Sequence, residues 1–212
     1  MRIGIDLDDT ICRTSEMVHE KMDEYSAKTN RDVLEIMSNE LIREQFFDEY
    51  LPIIYKEVVI KHDVKDVIRR LRNKGNEIYI ITGRKQSQIP NIMEITDKWL
   101  EDNGIEFDGL FTSAYGDTKA DVCKREHIDL MVDDNPYNYK TIVGNGGKCL
   151  LFDDRDKYDL RQDYVTSWLA AEEYINKFRG WYLFFVSHNF PYSFNFLYIF
   201  CCYNQNRKEV KR

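Results

Sequence analysis

The chain has 212 residues, 43% of them apolar and 32% charged, with a formal net charge of −7. That apolar fraction, with both charge signs interspersed, excludes a disordered chain. The acidic balance argues against broad nucleic-acid binding, which needs clustered Lys and Arg to replace phosphate counterions.

The length fits one core domain with a small inserted one. The cysteines, Cys12, Cys123, Cys149, Cys201 and Cys202, form no CxxC pair, and no His is placed to complete a zinc site. Free thiols in a reducing cytoplasm are therefore expected. A strand pattern that starts directly at the N-terminus leaves no signal peptide to expect.

Residues 2–7 (RIGIDL) read as a short buried strand that runs into Asp6, Asp8 and Asp9. A charge-rich helical stretch follows, over about 14–55. Met17, Val18, Met22 and Tyr25 recur at helical spacing, as do Val33, Leu34, Met37, Leu41 and Ile42, and Pro52 is expected to interrupt the stretch. The next helix, 62–74, has Asp63 as its expected cap and Asp66 as a short variant of the capping box. Its apolar stripe is Val64, Val67, Ile68 and Leu71, and Gly75 stops it. The β-branched run EIYIIT at 77–82 is typical of a central parallel strand. A helix over about 88–102 has Pro90 near its first turn and Asn103-Gly104 at its end. Then come a strand at 107–112, a helix at 118–126, a strand at 128–132, a short helix at 136–143, a strand at 149–152 and a helix at 166–178. Strands and helices alternating over such short connections imply an α/β fold, a mostly parallel sheet with helices on both faces.

In such sheets ligands bind at the carboxyl ends of the strands. Those ends carry Asp6-Leu7-Asp8-Asp9-Thr10, then Thr82-Gly83-Arg84, then Lys119 at the helix after the third strand, then Asp133-Asp134-Asn135-Pro136, then Asp153-Asp154. Carboxylates gathered at one sheet edge need a cation, protons or solvent to coexist. Mg²⁺ favours hard oxygen ligands and uses a few carboxylates plus water and substrate phosphate. With the charge of Lys119, the hydroxyl of Thr82 and the backbone N–H of Gly83, the set would bind a transferring phosphoryl group. Taken singly, Lys119 reads as a surface lysine and Thr82 as a strand-end hydroxyl; their order along the chain joins them. Asp153-Asp154 is read as a solvated turn or a helix cap. Arg84 either contacts substrate or caps the loop after it.

DLDDT at 6–10 resembles the first motif, DxDx[TV], of the haloacid dehalogenase-like (HAD) hydrolases. Thr82 matches their second motif, Lys119 the third and Asp133-Asp134 the fourth. The resemblance covers about residues 1–178. KADVCKREHIDLMVDDNP followed by CLLFDD is similar to the C-type 5′(3′)-deoxyribonucleotidase and nucleotidase group. The resemblance implies a HAD-like Rossmannoid core over 1–12 and 62–178 and a small helical cap over 13–61. It implies Asp6 as nucleophile and Asp8 as general acid and base. Mg²⁺ would be held by Asp6, the Asp8 backbone carbonyl and Asp134, with Asp133 nearby, and phosphate by Thr82, Gly83, Arg84 and Lys119. The expected ligand is a small phosphorylated metabolite, a nucleotide first and a sugar phosphate second. The cap residues Phe46, Phe47, Tyr50 and Tyr55 either stack on a base or sugar or form the core of the cap.

A phosphoaspartate signalling module also combines acidic residues, a Thr or Ser and a Lys on a parallel sheet. Three features argue against it: the candidate nucleophile ends the first strand, a second carboxylate lies two residues on, and a large insertion follows. The remaining segment, 179–212, is dense in Phe, Trp and Tyr but broken by Ser187, His188, Asn189, Pro191, Ser193 and Asn195, so no transmembrane span is expected. Alternating aromatics at 192–200 read as a strand. The segment is either partner-binding or interfacial, or a C-terminus altered by a shifted reading frame.

Overall fold

The computed structural model describes residues 1–112, 117–155 and 164–187. In chain order its elements are β1 (Arg2–Ile5), α1 (Thr14–Thr29), α2 (Val33–Ser38), α3 (Glu40–Glu57), α4 (Val64–Asn73), β2 (Glu77–Thr82), α5 (Ile92–Asp102) and β3 (Gly109–Thr112). They continue with α6 (Lys119–Arg125), β4 (Leu130–Asp133), α7 (Pro136–Gly144), β5 (Cys149–Phe152), β6 (Tyr164–Val165) and α8 (Trp168–Ser187). Residues Met1–Glu173 form one compact unit and Tyr174–Arg212 a second, of which the described part continues α8.

The strands pair in parallel in the order β3-β2-β1-β4-β5-β6. From β1 the chain winds outward to β2 and β3, then crosses back to place β4 on the other side of β1. The reversal opens a crevice beyond the carboxyl ends of β1 and β4, the position where open α/β sheets bind ligands. In these central strands Ile3, Ile5, Met131 and Val132 have no exposed surface, as expected for a sheet covered on both faces. One face holds Tyr79, Ile81 and Met131 against Val122 and Cys123 of α6 and Ile142 of α7. Gly4 fits because it lacks a side chain: a Cβ there would lie 2.7 Å from the Met131 sulfur.

The helices between β1 and β2 build a core of their own. Met22 and Tyr25 of α1, Ile36 of α2, and Ile42, Phe46, Tyr50 and Ile54 of α3 form one buried cluster. The two chain segments at its base pair with each other, Arg13 N–H to the Val59 carbonyl (2.9 Å) and Lys61 N–H to the Ile11 carbonyl (2.8 Å). Leu51 of α3 packs on Ile92 and Ile95 of α5, and Trp99 Nε1 donates to the Val58 carbonyl (2.9 Å).

Several expectations change here. Pro52 does not interrupt the helix but lies inside α3; burial of Tyr50, Leu51 and Ile54 around it offsets the missing backbone bond, which costs about 3 kcal/mol in a helix interior. Asp63 adopts a left-handed conformation (φ 63°) and makes no side-chain cap bond. Leu34, Met37 and Leu41, expected on an apolar stripe, are exposed. The short edge strand β6 had no periodicity to reveal it. The expected strand at 192–200 lies outside the described residues, and no described helix is long and apolar enough to cross a membrane. Cys12, Cys123 and Cys149 are buried free thiols; Cys201 and Cys202 lie outside the described residues.

Gly4→Ala should destabilise the fold by about 1–3 kcal/mol, the usual cost of overpacking a filled core. Gly144→Ala, whose Cβ would meet nothing within 4 Å at the end of α7, should be neutral or slightly stabilising. Denaturant unfolding of the two variants checks the pair, and equal midpoints would contradict the packing described.

Candidate active site

At the crevice, β1 delivers Asp6 and β4 delivers Asp133. The Asp6 N–H donates to the Val132 carbonyl (2.9 Å), which fixes the two strand ends side by side. Lys119 opens α6, whose N-terminus is set by a reciprocal capping box between Thr118 and Asp121. Its ammonium reaches Asp6 Oδ1 at 2.6 Å and Asp133 Oδ2 at 2.7 Å. Asp133 is fully buried and also accepts from the Asn135 N–H (2.9 Å) and from Asn138 Nδ2 (3.0 Å), so its orientation is fixed from three sides. One oxygen each from Asp6, Asp133 and Asp134 lie within 4.8 Å of one another.

The three carboxylates and the Lys119 ammonium meet in a largely buried place. Burial pushes the Asp6 carboxyl well above its ordinary value; the ammonium of Lys119 opposes this, and the charges of Asp133 and Asp134 add to it. Burial would lower Lys119, but Asp6 and Asp133 outweigh it and the net direction is up. Both directions are those of a site in which added positive charge is favoured. The donor set, three hard carboxylate oxygens beside an open cleft, suits an oxygen-seeking divalent ion that keeps room for water and a substrate oxygen.

The cleft has a volume of about 530 Å³, and Asp6, Asp8, Thr82, Gly83, Lys119 and Asp134 line it. Asp133 and Arg84 lie behind that wall, with 0% and 1% exposure. A Cβ on Gly83 would meet nothing within 4 Å, so the space over this residue is open to a ligand. Asp8 is held from two sides: Arg84 Nε and Nη2 donate to its two oxygens (3.0 and 2.8 Å), and Thr14 Oγ1 donates to Oδ1 (2.6 Å). Burial raises the Asp8 carboxyl, but the guanidinium charge and these hydrogen bonds outweigh it, and the net direction is down.

Sequence reasoning missed a second charged cluster beside the first. Asp154 does lie in an exposed turn, as expected, but its carboxylate has a buried partner. It pairs with Lys61 (2.6 Å), whose buried ammonium also donates to the Asp9 carbonyl (2.6 Å). Asp153 is buried as well. Asp9 stands in the left-handed region (φ 59°), and its carboxylate accepts from the Ser15 N–H (2.9 Å), contacts the Ser15 hydroxyl and pairs with Arg155 (2.8 Å). Asp9 thus braces the turn that aims Asp6 and Asp8. Asn138 and Tyr137 were also missed; the Asn135-Pro136 helix start was the available signal, since it places the first turn of α7 over the end of β4.

Phe46 and Tyr50 are buried in the core of the helical insertion, where Phe46 stacks on Tyr50 with centroids 5.3 Å apart. Phe47 and Tyr55 pack against that core and against the Leu51 cluster, and none of the four lines the cleft. Tyr137, 71% exposed, does line it.

Solved structures with the same fold include a haloacid dehalogenase-like family hydrolase from Streptococcus pneumoniae, 17% identical with a TM-score of 0.62, the alignment covering 82% of this chain and 97% of that one. A protein from Bacillus subtilis described as a HAD hydrolase, solved bound to magnesium, is 15% identical with a TM-score of 0.60 over 82% of this chain and 98% of that one. A curated protein from Clostridium acetobutylicum named a nucleotidase is 28% identical over 109 residues, 51% of this chain. The match spans about half of that relative's length, 54%. No family model matches the chain. The fold is that of the HAD-like hydrolases.

Lys61→Met should cost about 1–3 kcal/mol, because it leaves the Asp9 carbonyl and the Asp154 carboxylate without this donor. Adding Asp154→Leu should recover part of the loss, since replacing both partners removes the stranded charge. Unfolding free energies of the single and double variants test this, and a double variant less stable than the single one would contradict the pairing.

Proposed function

On the HAD-like fold established above, we propose that this chain is a Mg²⁺-dependent phosphomonoesterase that works through an aspartyl-phosphate on Asp6. The observation that carries the reading is the convergence of Asp6, Lys119, Asp133 and Asp134 at the switch point of the sheet, on or directly behind a cleft with Thr82 and Gly83 on its wall. Asp6, Asp134 and the Asp8 backbone carbonyl would hold the ion, with Asp133 braced behind them. Bound there, Mg²⁺ supplies charge that offsets the carboxylates and the substrate phosphate.

Asp6 attacks phosphorus, the bond to the leaving oxygen breaks, and that oxygen takes a proton from Asp8, which must enter this step protonated although Arg84 and Thr14 favour its ionised form. Water then attacks the acyl phosphate, Asp8 takes the proton, and phosphate leaves with Asp6 restored. Lys119 and the Thr82 and Gly83 groups hold the phosphoryl oxygens through both steps. The helical insertion over 13–61, whose base touches Asp8 through Thr14, would have to move over the cleft to act as a cap that shields the intermediate from bulk water.

Within this class we favour a nucleoside monophosphate as substrate. The name of the Clostridium acetobutylicum relative supports it, as does the exposed ring of Tyr137 on the cleft wall, a surface on which a base can stack. The insertion aromatics give no such support, because they pack within the helical core. A sugar phosphate is the second reading, favoured by the polar character of Thr118, Asn138 and Thr141 on the same wall.

Asp6→Asn should lose more than tenfold in turnover of an aryl phosphate, over about 1.4 kcal/mol, with the fold intact by circular dichroism. Near wild-type turnover in that variant would sink the mechanism. For the metal, Mg²⁺ at a hundred times its dissociation constant should stabilise the wild type by about 2.7 kcal/mol. Asp134→Ala should need a higher Mg²⁺ concentration for both stabilisation and activity, and an unchanged requirement would remove Asp134 from the metal site. In a panel of 5′- and 3′-nucleoside monophosphates, hexose phosphates and triose phosphates, nucleotides should have the higher specificity constants. A tenfold advantage for sugar phosphates, about 1.4 kcal/mol, would replace the nucleotide reading and leave the phosphatase reading standing.

A further inference from the structure

Arg84 follows Thr82-Gly83 at the carboxyl end of β2. Its guanidinium has no exposed surface and does not reach the cleft wall. The fork formed by Nε and Nη2 holds both oxygens of Asp8, at 3.0 and 2.8 Å. The remaining nitrogen, Nη1, donates to Thr96 Oγ1 of α5 (3.3 Å). The guanidinium carbon Cζ lies over the ring of Tyr55, 3.9 Å from its centroid. The backbone N–H of Arg84 donates to Thr82 Oγ1 (3.3 Å), which ties the start of this loop to a residue on the cleft wall. Burying a guanidinium with its nitrogens committed in this way is costly unless its geometry is used, and a planar fork fixes a carboxylate in one plane as an ammonium cannot.

We infer that Arg84 is the positioning residue for Asp8: it does not touch substrate, but sets the plane and direction of the Asp8 carboxylate. The inference rests on the reading of Asp8 as the proton donor to the leaving oxygen. Its second consequence concerns the helical insertion. Tyr55 lies near the end of α3 and Thr14 at the start of α1, so both ends of the insertion touch the Asp8–Arg84 pair. A displacement of the insertion therefore changes the contacts of the proton-handling group without any element crossing the cleft.

The test compares wild type, Arg84→Met, Arg84→Lys, Tyr55→Leu and Asp8→Asn on aryl and alkyl phosphates of graded leaving-group ability, with unfolding midpoints measured for each. Arg84→Met should lower kcat on poor leaving groups by about 10²-fold, the lower end of what a positioned proton donor contributes. The loss on good leaving groups should be much smaller, and KM should stay within about twofold. Arg84→Lys should stay impaired, because it restores charge but not the fork. Tyr55→Leu should show the same leaving-group signature more weakly, and it decides the question if Arg84→Met does not fold. A raised KM with unchanged kcat would make Arg84 a phosphate ligand and overturn the inference. So would full rescue by Lys, or a Tyr55→Leu variant that loses activity equally on all substrates. Asp8→Asn separates the two levels: if it lacks leaving-group dependence, the role of Asp8 itself fails. If it has that dependence and the Arg84 variants do not, only the positioning role fails.

Discussion

Lys119 places one ammonium between Asp6 and Asp133, 2.6 Å from one and 2.7 Å from the other. Without it, strand ends that deliver three carboxylates to one buried spot would repel each other, and the crevice would be unstable as built. The rest of the molecule serves this contact. The strand order puts β1 beside β4, the capping box at Thr118 fixes where α6 begins, and Asn135 and Asn138 hold Asp133 in place. The acidic cluster that the ammonium joins is compatible with a divalent cation.

The second charged cluster does a different job. Lys61, Asp154, Arg155 and Asp9 are interlocked behind the turn after β1, and they hold a left-handed Asp9 that the backbone alone disfavours. That turn carries both Asp6 and Asp8 to the same cleft. The helical insertion adds its own rigidity through the Phe46–Tyr50 core and through the paired segments Arg13–Val59 and Ile11–Lys61 at its base. Its ends are anchored next to Asp8, so its position and the geometry of the site are mechanically linked.

Much of the fold was legible in the sequence because parallel strands buried on both faces leave a strong mark. EIYIIT and the acidic strand ends located β2, β1 and β4, and the glycine stops located the ends of α4 and α5. The cleft-lining set of Asp6, Asp8, Thr82, Gly83, Lys119 and Asp134 followed from order along the chain, since each lies at a strand end or helix start. What stayed hidden depends on tertiary partners. Lys61 and Asp154 are far apart in sequence, and nothing local marks them as a pair. Arg84 reads equally well as a substrate contact or as a cap for the loop after it, and its hold on Asp8 shows only once Asp8 and Tyr55 are seen against it. Aromatic residues at helical spacing announce burial but not against what, so the choice for Phe46 and Tyr50 between a substrate and the core of the insertion is decided by their packing. Pro52 was misread because helix propensity is a weak prior that packing overrides.

The central claim is that Asp6 carries the phosphoryl group, and the most direct measurement is to catch it there. Wild type and Asp8→Asn would be mixed with Mg²⁺ and a good-leaving-group aryl phosphate, quenched in acid during turnover, and digested for peptide mass spectrometry. The account predicts a phosphoryl adduct on the peptide containing Asp6, localised to that residue and more abundant in Asp8→Asn, whose hydrolysis step lacks its base. An adduct on another residue, or turnover with no covalent species in either protein, would contradict it.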